Sequence, residues 1–411
     1  MSDRKHFASK WSTKFYLLII VVLASVPAII YFANLKSSKD YIVEVEKPEP
    51  IQSTLLVRPL TEGKNLIRLN KAREKFSVSG KGLTVAVIDT GLRVTHNDFT
   101  GRVIAQRNFT SDNGGNMDDA SDGNGHGTNV TGIIAADGIR NQGIAPDVKI
   151  IPIKALNNNS SSFLKQIEKA LEWIIDNHIK YKITAVCMSF GDGENYTKDR
   201  EFEILNKNII QSQIKTLKDN KVAVIAAAGN SFYPLNKSDI QQPESKQGMA
   251  FPAIIRETIS VGAVYDSDIG KQIHDSGATA NKTAPEIITP FSQRLHETVN
   301  PDTKTDIFAP GASIISSGIN SDDSRSNLSG TSQAAPVVTG VVLLLQEYYL
   351  RETGNLPSID NLEKYLRDNR FDINDGDDED DNVVNTGLDF IRIDALSALK
   401  SMDTDLNNQV E

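Results

Sequence analysis

Short apolar runs alternate with amphipathic ones through the middle of this chain, and that alternation sets its architecture. "TVAVI" (84–88), "VKIIPIKAL" (148–156), "ITAVCMS" (183–189) and "KVAVIAAAG" (221–229) are brief, rich in β-branched residues and almost continuously apolar. Runs of this kind predict strands buried on both faces, as in parallel sheets. Between them, "SSFLKQIEKALEWIIDNH" (161–178) places Leu164, Ile167, Leu171, Ile174 and Ile175 at helical spacing behind a serine start. It predicts an amphipathic helix. "HGTNVTGIIAA" (126–136) and the stretch 199–219 also read as helical. Strand and helix in repeated succession predict an α/β fold of three layers, a central parallel sheet with helices on both faces. Right-handed crossovers bring the strand carboxyl ends to one edge, so the loops there should hold the chemistry.

The N-terminal pattern is different. From Phe15 to Ala33 the chain runs nineteen residues without a charge, whereas the apolar part of a signal peptide has about 7 to 15. Arg4, Lys5, Lys10 and Lys14 precede it against Asp3 alone, and residues 34–50 mix both signs. The bias predicts a transmembrane signal-anchor over 15–33, with residues 1–14 cytosolic and the remainder extracytoplasmic. The alternative is secretion after signal cleavage near Val26-Pro27-Ala28; the mass of the mature N-terminus distinguishes the two. Residues 34–75 carry Pro48, Pro50, Pro59 and scattered charge, with one helix-like stretch near "NLIRLNKAREKF", and read as a linker or short pro-segment. The run from Thr331 to Leu345 has no charge either. It is too short to span a bilayer and reads as a helix buried within the domain.

Composition narrows the class. Of 411 residues, 39% are hydrophobic and 24% charged, with a net charge of −9. This is a globular chain with a sizeable core, and its acidity argues against a nucleic-acid partner. Cys187 is the single cysteine, so no internal disulfide or thiolate metal cluster forms. In "AVCMS" it reads as a small buried hydrophobe.

Three short stretches fall at strand or helix ends. In "VAVIDTG", Asp89 follows four apolar strand residues; a buried acid there needs donors or a cation, although a turn-forming Asp before Gly is common. In "DGNGHGTNVTG", His126 lies where a glycine-rich loop enters a helix, a setting that none of the other five histidines shares. In "SGTSQAAP", a Gly-Thr-Ser turn leads into the apolar helix and puts the Ser332 N–H at its positive end. Helix capping alone also explains that turn. Together the three supply a hydroxyl, an imidazole and a carboxylate, the groups acyl transfer requires. In "AAAGNS", Asn230 follows a strand and a glycine, where its amide suits an oxyanion.

"VIDTG", "GHGTNVTG", "AAAGN" and "SGTSQAAP", in that order, resemble the subtilisin-like serine proteases (subtilases), as does the order Asp, His, Ser. The resemblance implies a seven-stranded parallel sheet and endopeptidase chemistry, and it divides the chain into 1–14, 15–33, 34–75, a catalytic domain at 76–400 and a tail at 401–411. It implies that Asp89 orients His126, that His126 is general base and then acid, that Ser332 attacks the carbonyl, and that Asn230 donates to the oxyanion. Substrate contacts are implied for Ser189, Phe190, Gly191, Ala228, Gly229 and Thr331, with Ser231, Ala250 and Phe251 around an uncharged specificity pocket. The partner implied is a protein or peptide in extended form. No cofactor is implied for catalysis. Structural calcium is common among relatives, and Asp98 matches one ligand position, but "ADGIRNQG" (136–143) is shorter than their usual loop. "DINDGDDEDD" (372–381) holds seven acids in ten residues. Gly376 comes one place too early for a Ca²⁺ loop and no glutamate closes it, which favours a solvated acidic loop and no assigned metal ligand.

Overall fold

The computed structural model describes residues 42–44, 60–138, 141–199, 207–236, 247–368, 371–376 and 380–408. The apolar run 15–33 and its flank 1–14 lie outside the described residues, as do most of the linker and the middle of the acidic run. Among the described residues, no helix is long and apolar enough to cross a membrane.

The central sheet has nine strands. In chain order they are β1 (Thr84–Asp89), β2 (Arg107–Asn108), β3 (Lys149–Lys154), β4 (Ile183–Met188), β5 (Ala223–Ala227), β6 (Ile259–Val264), β7 (Ile307–Pro310), β8 (Phe371–Asn374) and β9 (Asp389–Arg392). Across the sheet the order is β8-β9-β7-β6-β5-β4-β1-β3-β2. All pairs are parallel except β8 with β9. The sheet is therefore wider than the seven strands expected. A two-residue strand at one edge and an antiparallel hairpin strand at the other extend it, and neither carries a periodic apolar signal.

Alternating strand residues divide between two cores, as the pleat requires. Val85, Val87, Cys187, Ile225 and Val261 join the helices α3 (His126–Ala135) and α6 (Thr331–Thr353) on one face. Ala86, Ile88, Val186, Met188 and Val224 join α4 (Leu164–Tyr181) and α5 (Asn208–Asp219) on the other. Helix α6 is buried from Thr331 to Gln346, which explains why that stretch carries no charge. Helix α4 begins at Leu164, because Ser161–Phe163 forms a strand instead of the helix start expected.

The folded body also begins earlier than residue 76. Helices α1 (Thr61–Leu66) and α2 (Leu69–Phe76) bury Leu60, Ile67, Leu69, Ala72 and Phe76 in the first core. Arg68 forks onto Asp394 at 2.6 and 2.7 Å, beside the start of α8 (Ala395–Asn408), while α7 is Ile359–Arg367. Residues 401–408, expected as part of a tail, continue α8 and bury Met402.

Candidate active site

The carboxyl ends of β1, β4 and β5 open onto one edge, and β1 delivers Asp89 there, fully buried. Its Oδ1 accepts the Thr90 N–H at 2.7 Å and lies 2.8 Å from His126 Nδ1. Oδ2 has no hydrogen-bond partner among the described residues. A carboxylate at Nδ1 holds the proton on that nitrogen, so Nε2 keeps its lone pair, the tautomer a general base requires.

His126 is the first residue of α3, and small neighbours let the helix dock so close to β1. A Cβ on Gly127 would lie 2.3 Å from the Gly91 carbonyl oxygen. Gly91 itself holds φ 111° and meets the Ala120 carbonyl in the same way. Asp122 and Asn124, which carry no distinctive motif of their own, shape the approach to α3. Asp122 accepts the Asn124, Gly125 and Thr128 N–H groups at 2.9, 2.9 and 3.0 Å. Asn124 Oδ1 accepts the His126 N–H at 3.1 Å. A DG pair before a glycine-rich loop was the available signal, though it is a common one. Buried Lys154, paired in register with Asp89, donates to the Thr90 carbonyl at 2.6 Å and stiffens the same turn.

Ser332 is the second residue of α6, with Gly330 as N-cap. The residue is 6% exposed, and its hydroxyl has no hydrogen-bond partner among the described residues. Its N–H belongs to the first turn, which a helix leaves without internal acceptors. Asn230 lies beside it: Oδ1 accepts the Thr331 N–H and hydroxyl, both at 2.9 Å. That fixes the amide plane and leaves Nδ2 as a donor on the Gly330 side. Thr331, expected to touch substrate, is buried, and its hydroxyl also accepts the Gly229 N–H at 3.1 Å. Its side chain therefore joins two loops and is not free for a ligand. Helices α3 and α6 pack together, and Gln333 donates to Asn129 at 3.4 Å, one turn beyond His126 and one residue beyond Ser332.

Two lengths of backbone border this edge. Ser189 and Phe190 are buried, with Phe190 in the second core, so their side chains face inward. Beyond them a Cβ on Gly191 would lie 2.8 Å from the Ala250 methyl, and one on Gly229 would lie 2.9 Å from it. Ala250 thus fills the space between the two glycines. Gln293, also unmarked in the sequence, crosses nearby, donating to the Glu194 carbonyl at 2.9 Å and to Asn195 Oδ1 at 2.8 Å. The second length is Ser161–Phe163. It pairs antiparallel with Ile42–Glu44, matching Ile42 with Phe163 and Glu44 with Ser161. Asn124 donates to Ser160 Oγ at 2.7 Å, so this strand adjoins the loop that carries His126.

Cys187 lies beneath Ser189, with Sγ 3.4 Å from its Oγ. Burial pushes the thiol up to about 12, so it is an inert part of the core.

Asp98, matched to a calcium ligand, is surrounded by hydrogen-bond donors, among them the Arg325 guanidinium at 3.2 Å. It does not fit a metal ion. Among the described residues no group of three or more His, Cys, Asp or Glu side chains could hold one.

An imidazole with a free Nε2, a serine without a competing partner and amide donors at a helix start can together transfer an acyl group through the hydroxyl. That is the chemistry of a serine hydrolase. The chain matches the subtilase family over residues 80–365 and belongs to it. It is 31% identical over 300 residues to the major intracellular serine protease of Bacillus subtilis (strain 168), covering 71% of this chain and 76% of that one. It is 29% identical over 273 residues to the intracellular serine protease of Paenibacillus polymyxa, covering 65% and 68%. The extracellular serine proteinase of Thermus sp. (strain Rt41A) is 26% identical over 317 residues, 75% of this chain and 62% of that protein. The chain is thus a subtilisin-like serine protease, and subtilases need no cofactor for catalysis.

Proposed function

We propose that this chain hydrolyses peptide bonds in extended protein segments through an acyl-enzyme at Ser332. His126 Nε2 takes the hydroxyl proton as Oγ attacks the carbonyl carbon. The oxygen that gains the charge accepts hydrogen bonds from Asn230 Nδ2 and the Ser332 N–H. As the intermediate collapses, the carbon–nitrogen bond breaks and His126 gives its proton to the departing amine. Water then repeats the sequence on the ester, freeing Ser332. Asp89 holds His126 in the right tautomer and balances the imidazolium. The observation that carries this reading is the 2.8 Å contact of Asp89 with His126 Nδ1, because it leaves Nε2 as the base. An activated ester should give a burst of one leaving group per protein followed by slow turnover. A linear release without a burst, at ester concentrations that saturate, counts against a covalent intermediate.

Substrate enters as a strand. Supporting this, the edge at Ser161–Phe163 already accepts an extended segment, Ile42–Glu44, in antiparallel register. The backbone at Gly191 and Gly229 borders the pocket for the side chain before the scissile bond, and the Ala250 methyl, which stands between the two glycines, limits that side chain to a small uncharged one. Ala250→Gly is expected to raise kcat/KM for a large apolar residue there by about tenfold, measured on a peptide series varied at that position. An unchanged preference series would place the pocket elsewhere.

A further inference from the structure

The corner below α3 holds Asp98, the residue matched to a calcium ligand position, in contacts of a different kind. Calcium takes about six to eight oxygen ligands at 2.3–2.6 Å. The Asp98 side chain is only 3% exposed, and donors already occupy its oxygens. Oδ2 accepts from Ser317 Oγ at 2.6 Å, from Asn141 Nδ2 at 3.2 Å and from Arg325 at 3.2 Å. Oδ1 faces the second Arg325 nitrogen at 3.4 Å. The backbone at Gly138 covers the carboxylate so closely that a Cβ there would lie 2.3 Å from Oδ1.

His96 is held by other contacts. Its Nδ1 accepts the Asp98 N–H at 3.1 Å, so the proton sits on Nε2, which donates to the Ser324 carbonyl at 3.0 Å. The guanidinium of Arg325 is the cation paired with the carboxylate. Nearby carbonyls are occupied in the same manner. Arg102 is 7% exposed, and its guanidinium donates to the carbonyls of Ala135, Pro146 and Asp98. Three backbone oxygens from three segments converge on one delocalised cation. These are hard oxygen donors of the kind calcium uses, and none is left over for it. A divalent ion brought to Asp98 would also meet the like charge of Arg325.

We propose that Arg102 and Arg325 take the place of a calcium ion in this chain. Arg325 ties the turn at 96–99 to the hairpin formed by Ile314–Ser317 and Arg325–Leu328, and Arg102 ties the same turn to the end of α3. The planar fork suits this task, since one guanidinium reaches several acceptors at fixed angles. The consequence reaches His126, because α3 begins with that residue and ends at the Ala135 carbonyl that Arg102 holds. Asn129, midway along α3, also donates to the Ser326 carbonyl and hydroxyl at 3.1 and 2.9 Å. The helix that presents the base is thus anchored by side chains of the protein itself.

The test is hydrogen–deuterium exchange of the full chain carrying Ser332→Ala, which prevents self-digestion, in excess EGTA and in millimolar calcium chloride. Segments 96–104 and 130–146 are expected to exchange at the same rate in both buffers. Arg325→Met in that background should speed their exchange by about tenfold or more in either buffer, as a local loosening does. Arg325→Lys should fall between, since it keeps the charge and loses the fork; it also stands in if the Met protein does not fold. Calcium-dependent protection of these two segments in the Ser332→Ala protein overturns the proposal. So does an Arg325 variant that exchanges as its parent does.

Discussion

Ser332→Ala is expected to lower kcat on a peptide substrate by about a millionfold, the loss that removal of the nucleophile causes in subtilisin, while leaving KM and the melting temperature close to the parent's. The mechanism gives the direction. Without the hydroxyl no acyl-enzyme forms, and what remains is attack by water helped by Asn230 and the Ser332 N–H. Stability should hold because the Ser332 hydroxyl has no hydrogen-bond partner among the described residues and Asn230 accepts the Thr331 N–H at the helix start. Steady-state hydrolysis with a melting curve on the same sample checks both halves. A loss of less than about a hundredfold would mean that another group carries the reaction.

Asp89→Asn is expected to cost about 10⁴-fold in kcat, again with a folded protein. An amide has nearly the same shape as the carboxylate, and with its oxygen at the Oδ1 position it still accepts the Thr90 N–H at 2.7 Å. The charge that steadies an imidazolium is gone, however. If the amide NH₂ takes the Oδ1 position instead, the Thr90 N–H loses its acceptor, Nδ1 must accept, the proton moves to Nε2, and the base is lost. Folding should suffer little, since the carboxylate is fully buried with Oδ2 unpartnered among the described residues, an arrangement that favours function over stability. Kinetics across pH with an unfolding curve separates these effects. Activity within about tenfold of the parent would show that Asp89 does not orient the base.

Much of this was legible in the chain itself. The strands at 84–88, 183–189 and 221–229 and the buried helix that starts at Thr331 follow from their apolar runs, which report burial directly. The motifs at Asp89, His126, Asn230 and Ser332 were readable because each sits at the end of such an element. What escaped was the polar backbone between elements. Ser161–Phe163 lies in a run of serines with no alternation, so its pairing with Ile42–Glu44 depends on the edge it borders and leaves no mark in its own residues. Helix α2 falls within the helix-like stretch "NLIRLNKAREKF", but its packing into the core through Leu69, Ala72 and Phe76, with Arg68 docked on Asp394 far along the chain, left no mark there. The same holds for Arg325 on Asp98 and for Gln293 across the Ala250 gap. These contacts join residues distant in sequence, and a local pattern does not encode them.

Capture by a fluorophosphonate tests the central claim most directly. The reagent phosphonylates a serine whose hydroxyl has a base beside it and an oxyanion site behind it. With the folded full-length chain, peptide mass spectrometry is predicted to find one adduct, on Ser332, that disappears in Ser332→Ala and is strongly slowed in His126→Ala. Folded protein that takes up no label, or label that persists on another residue when Ser332 is replaced, would contradict the account.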